Sequence, residues 1–70
     1  MKIILSYHAK KRLFERKIRL QDVIDSIEMP DYTISKGNKK EAYRKINNKI
    51  LKTVYMIKEK YIKVITVIWK

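Results

Sequence analysis

The feature that most constrains this chain is a change of hydrophobic period at Met29-Pro30-Asp31. Before it, apolar residues recur at helical spacing. After it they alternate, the mark of strands with one buried face. Pro30 cannot continue a helix, because its ring removes a backbone N–H and clashes with the preceding turn. A chain of 70 residues supports one hydrophobic core but not two, so the two halves must pack on each other. The expectation is a single α+β domain over residues 1–70. Two N-terminal helices pack on an antiparallel sheet of three to four strands, and Lys2 to Leu5 forms a short strand or an extended lead-in.

Ser6 suits the N-cap of a first helix from Tyr7 to about Lys17. On it Ala9 and Leu13 share one side, His8, Arg12, Glu15 and Arg16 lie beside them, and Tyr7 and Phe14 fall elsewhere, so this helix is expected to touch two things. A second helix over residues 20–29 places Leu20, Val23, Ile24 and Ile27 on an apolar stripe, with Asp22, Asp25 and Glu28 on its other face. Strands follow at Tyr32 to Ser35, Glu41 to Ile46, Ile50 to Ile57 and Tyr61 to Lys70. Asn47-Asn48 fits a two-residue hairpin loop because Asn tolerates positive φ, and Glu59-Lys60 is a weaker version. Counting outward from two-residue loops puts Arg44 opposite Leu51, Thr53 opposite Thr66, and Tyr55 opposite Val64. The helices are then expected on the face of Ala42, Arg44, Leu51, Thr53, Tyr55, Val64 and Thr66, with Trp69 on the other. The last strand is apolar on both sides, which suits an interior strand or one whose outer face meets a partner.

The formal charge of +11 favours polyanionic partners. Lysine and isoleucine dominate the chain, as AT-rich codons also make them do, so lysine alone says little. The arginines say more. Arg12, Arg16 and Arg19 cluster and Arg44 stands apart, and where lysine is the common cation a localised planar guanidinium points to phosphate or carboxylate. Absence of cysteine excludes a disulfide scaffold and a thiolate metal site and agrees with a reducing cytoplasm. No Walker loop, dinucleotide fingerprint, zinc spacing or Ser-His-Asp arrangement is present, so neither a metal nor another cofactor is expected. Ile3-Ile4-Leu5 is too short for a signal-peptide core or a membrane span. The expectation is a soluble cytoplasmic protein with no membrane association.

The pattern Ser-x-His-Ala-x-x-Arg-x-x-x-Arg-x-Ile at residues 6–18 precedes an amphipathic helix ending near Met29-Pro30 and a strand-rich half closing on Val64-Ile65-Thr66-Val67. Together they resemble small bacterial and archaeal domains that begin with a His-Ala-x-x-Arg helix and are grouped with RelE, ParE and BrnT toxins. The resemblance covers nearly the whole chain. Such domains usually have Gly where this chain has Lys17, so the turn between the helices is expected to be built differently. The resemblance implies a RelE-like α+β fold, often encoded beside a small acidic antitoxin. RelE and BrnT relatives cleave RNA whereas ParE relatives act on gyrase, so activity does not follow from the fold.

A metal-independent ribonuclease makes the 2′-hydroxyl attack the adjacent phosphorus. It needs a base or orienting group, an acid for the leaving oxygen, and fixed cations for the charge growing on phosphate. His8 is the candidate for the first role, and Arg12 and Arg16 are candidates for the charge. Lys11, Arg44, Thr66 and Trp69 are candidates for contact with nucleic acid, Trp69 by stacking. Each has a plainer reading: a structural histidine, arginines paired with Glu15 or the acidic second helix, Thr53 and Thr66 as cross-strand partners, a packed tryptophan, and an Arg44 that must pair or line a pocket. Three functions from different classes follow: an RNA-cleaving toxin held by an acidic antitoxin, a non-catalytic RNA- or DNA-binding module, and a domain that binds an acidic protein. A homodimer is a further expectation.

Overall fold

The computed structural model describes residues 2–70. Its elements are β1 (Lys2–Leu5), α1 (Tyr7–Arg16), α2 (Leu20–Glu28), β2 (Tyr32–Lys36), β3 (Lys39–Ile46), β4 (Lys49–Ile57) and β5 (Tyr61–Trp69). The class is α+β, with two helices and one five-stranded sheet of order β1-β5-β4-β3-β2. The hairpins β2–β3, β3–β4 and β4–β5 are antiparallel. The sheet is nonetheless mixed, not antiparallel throughout, because β1 runs parallel to β5, pairing Lys2 with Tyr61 through Leu5 with Val64. That pairing makes β5 an interior strand and accounts for its being apolar on both sides.

The turns are where the residues allow them. Asn47 stands at φ 57 and Gly37 at φ 63, positions where a β-carbon is normally disfavoured and Asn or Gly is tolerated. Arg44 faces Leu51 and Tyr55 faces Val64, the register that counting outward from the loops gives. Beyond that point the register slips. Val54 faces Thr66, and Thr53 faces Val67 instead of the expected Thr66. The extra residue on β5 is Ile65, a bulge that turns the rest of the strand over. Val67 and Trp69 are thereby delivered to the helix side, and Thr66 and Ile68 to the other.

The core lies between the helices and one sheet face. Ala9, Ile18 and Val23 from the helical half meet Ala42, Leu51, Tyr55, Val64 and Val67 from the sheet, and Trp69 packs against them. The second helix is rotated from the expected stripe. Val23 and Ser26 are fully buried and Asp22 nearly so, while Leu20 is 50% exposed. Polar residues can occupy the buried side because each has a partner there. Arg19 donates twice to Asp22, at 3.1 and 2.8 Å, and Ser26 donates to the Val23 carbonyl at 2.7 Å and meets the Thr53 hydroxyl at 2.7 Å. Among the described residues no helix is long and apolar enough to cross a membrane.

Candidate nucleic-acid interface

The first helix is fixed at both ends by β5, and the fixing explains most of its sequence. At the start, the Ser6 hydroxyl accepts from the Ala9 N–H at 3.1 Å and donates to the Ile65 carbonyl at 3.0 Å, while the Ser6 N–H donates to the Val64 carbonyl at 3.0 Å. One side chain therefore caps α1 and ties it to the bulged segment of β5. Ala9 is fully buried, so only a methyl group stands between helix and sheet at that point. At the far end Lys17 takes the left-handed conformation, φ 53 and ψ 48, and the Ile18 N–H donates to the Leu13 carbonyl at 3.0 Å, which is the Schellman closure that normally uses glycine. The Arg16 guanidinium donates to the Val67 carbonyl, and the Trp69 indole N–H donates to the Arg16 carbonyl at 3.0 Å.

The stretch from Ser6 to Ile18 thus separates into two sets. Ser6, Ala9, Arg16 and Ile18 anchor the helix. His8, Lys11 and Arg12 are left on or near its outer side. His8 is exposed in the first turn, its ring edge-on to Tyr7 with centroids 6.0 Å apart. Arg12 is half-buried and donates to Glu15 at 2.7 Å. That hydrogen bond, with the charges of Arg12, Lys11 and Arg16, outweighs desolvation and holds the Glu15 carboxyl below the usual carboxylate range, so Glu15 is a fixed anion that orients Arg12.

The other candidates stand apart from this set. Arg44 on β3 donates to the Met29 carbonyl at 2.6 Å, closing the end of α2, and β4 lies between its strand and β5. Trp69 is half-buried at the C-terminus of α1, with the Lys49 ammonium 5.5 Å from its ring centre. Thr66, paired with Val54, is on the helix-free face. Sheet register brings neither Arg44 nor Thr66 to His8.

A second basic surface comes from the sheet. The register aligns Tyr32-Tyr43-Lys52-Ile68 in one row across the helix-free face, Ile34-Glu41-Val54-Thr66 in the next, and Lys36-Lys39-Met56-Lys63-Ile4 beyond it. Glu41 is the one carboxylate in these rows. It meets Lys52 at 3.3 Å and Lys36 at 3.5 Å and accepts from the Tyr43 hydroxyl at 3.2 Å. Tyr43 stacks on Tyr32 with centroids 4.5 Å apart.

A family model described as a domain of unknown function, DUF4258, matches residues 5–69. This chain belongs to the DUF4258 family. Neither the curated proteins nor the solved structures contain a match to it. The match to DUF4258 begins at Leu5 and ends at Trp69, so it takes in both clamps of α1, the Ser6 cap and the Trp69 indole. What this DUF4258 chain offers chemically is an exposed imidazole, a guanidinium steadied by a carboxylate, and lysines on both sides of the molecule.

Three features were not found from the sequence: the Glu41 cluster, the tyrosine stack, and the exposure of Tyr7 and Phe14 on α1. The first two were readable in principle, since the β2–β3 and β3–β4 loops set Tyr32 against Tyr43 and Tyr43 against Lys52.

Proposed function

We propose that this protein acts on RNA as a toxin-type, RelE-like domain, with His8 as the acid–base group of a metal-independent ribonuclease and Arg12 as its phosphate ligand. The observation that supports this best is the division of labour on α1. The helix is clamped at both ends by other residues, and His8 and Arg12 are held on its open flank without being needed for the fold. A well-placed acid or base contributes roughly 10²–10⁴-fold to such a reaction, and a guanidinium fixed by Glu15 meets the growing charge without reorganising. Arg16 contributes positive charge from the same helix while its guanidinium holds β5. The test is purified protein incubated with end-labelled RNA, wild type beside His8→Ala and Arg12→Ala, with product ends mapped. Cleavage lost in both folded variants supports the reading, and products unchanged in both would remove these residues from it.

The helix-free face favours a second, compatible role. Its lysines surround exposed Ile4, Ile34 and Ile68, a combination that suits an acidic protein carrying apolar side chains, such as a cognate antitoxin. Co-purification of a stoichiometric acidic protein, lost on Ile34→Glu, supports this role. An acidic partner that binds Ile34→Glu as tightly as wild type would exclude the face.

A further inference from the structure

Among the described residues, the two most exposed large apolar side chains are on α1, Tyr7 at 77% and Phe14 at 88%. They lie seven positions apart, which returns nearly to the same face after two turns, about 10 Å along the axis. The positions between them on that face are Lys10 and Lys11, both exposed. The first turn of α1 carries no acidic residue, and its N-terminal end adds partial positive charge. Glu15, the single carboxylate on the helix, is occupied by Arg12.

An aromatic ring left in water at such exposure adds nothing to the fold, since burial is what makes it stabilising. A face meant for another helix would continue the apolar stripe at i+3 and i+4. Here both of those positions are lysine. Isolated rings separated by cations match a different ligand, one with flat apolar surfaces at intervals along an anionic backbone.

We infer that the outer face of α1 is a stacking platform for unpaired RNA, with Tyr7 and Phe14 each receiving a base and Lys10 and Lys11 taking the intervening phosphates. This rests on the RNA reading above and deepens it. Tyr7 is also the ring against which His8 leans, so a base on Tyr7 brings the adjoining backbone to the imidazole. Duplex RNA offers no free base faces to the rings, and the platform selects single strands.

The experiment is fluorescence anisotropy with a labelled 2′-O-methyl oligonucleotide, which lacks the attacking hydroxyl and separates binding from cleavage. Wild type is compared with Tyr7→Ala, Phe14→Ala and Phe14→Leu, using single-stranded and duplex forms and a single-stranded DNA of the same sequence. Stacking loss corresponds to roughly 5- to 150-fold weaker single-strand binding for either alanine variant, with Phe14→Leu nearly as weak and duplex binding unaltered. Because both side chains are exposed, the melting temperature of each variant should equal that of wild type. Wild type that binds single strands while all three variants bind equally well overturns the platform and leaves the RNA reading standing. Full affinity in Phe14→Leu also overturns it, since leucine has no ring to stack. DNA bound tenfold tighter than RNA overturns the assignment to RNA. A wild type that binds no RNA in any form overturns both. If the chain self-associates and Phe14→Ala abolishes this with RNA affinity intact, the face is a contact between copies and the platform is excluded.

Discussion

Glu41 shows how one side chain can report on a surface. Burial pushes its carboxyl up, but hydrogen bonds from Lys52 and Tyr43 and the charge of Lys36 more than reverse this, holding it below the ordinary value of 4.5. A carboxylate depressed in the folded state contributes stability that is fully present above its unfolded value and is lost as pH falls through its folded one. Glu41→Gln should therefore be less stable than wild type at neutral pH, with the gap closing as pH falls from neutral to below the ordinary carboxylate range. Urea denaturation across that range checks it, and a gap that stays constant with pH would show that Glu41 acts through packing alone. At this scale the sequence was most readable where a residue type has a single local use. Ser6 as a cap and Asn47 in a tight turn are such cases. Trp69 was not, because an indole that closes a helix end looks the same in sequence as one free to stack.

Among the elements, α2 carries the clearest polar test. The Ser26 proton goes to the Val23 carbonyl, so in the Ser26–Thr53 contact Thr53 is the donor. Ser26→Ala strands a buried Thr53 hydroxyl, at a cost of about 1–3 kcal/mol, whereas Thr53→Val only removes a hydrogen bond that Ser26 accepts and should cost less. The double variant should recover part of the sum, a coupling that a double-mutant cycle by chemical denaturation measures directly. Purely additive losses would show that the two hydroxyls do not act as a pair. The apolar stripe read from the sequence missed this face because it put Asp22 on the outer side and left Ser26 unassigned, and the partners that let them be buried, Arg19 and Thr53, lie before the helix or outside it. The turn after α1 gives a second test. A residue with a β-carbon loses roughly 1–2 kcal/mol in the left-handed region, so Lys17→Gly should raise stability by up to about 1 kcal/mol once glycine's extra chain entropy is counted. For a domain of this size that is a rise of about 4–8 °C in melting temperature. A lower melting temperature would mean that the lysine side chain does more than tolerate its position.

For the whole molecule, the change of period at Pro30 fixed the order of helices and strands, and the loops fixed most of the register. The parallel closure by β1 escaped because four apolar-leaning residues carry no signal of which strand they will join. The Ile65 bulge escaped because counting from loops assumes an unbroken ladder, and that one residue decides whether Thr66 or Val67 faces the helices. The resulting body measures 33 × 24 × 19 Å, and its basic groups fall on opposite sides, Lys10 and Lys11 on α1 and Lys36, Lys39, Lys52 and Lys63 on the helix-free face. Charges further apart than about 8 Å are largely screened at physiological salt, so a polyanion held at one side should be insensitive to charge changes on the other. Each phosphate neutralised by a single strand adds about −0.7 to the slope of log affinity against log salt concentration. RNA seated on α1 through Lys10, Lys11 and Arg12 should show a slope near about −2. The paired change Lys10→Ala and Lys11→Ala should flatten it by about 1.4, and Lys39→Ala with Lys63→Ala should leave it unchanged. A salt titration of binding for these variants measures each slope. A steep slope that responds to Lys63 and not to Lys11 would move the RNA to the sheet and leave α1 to the partner protein.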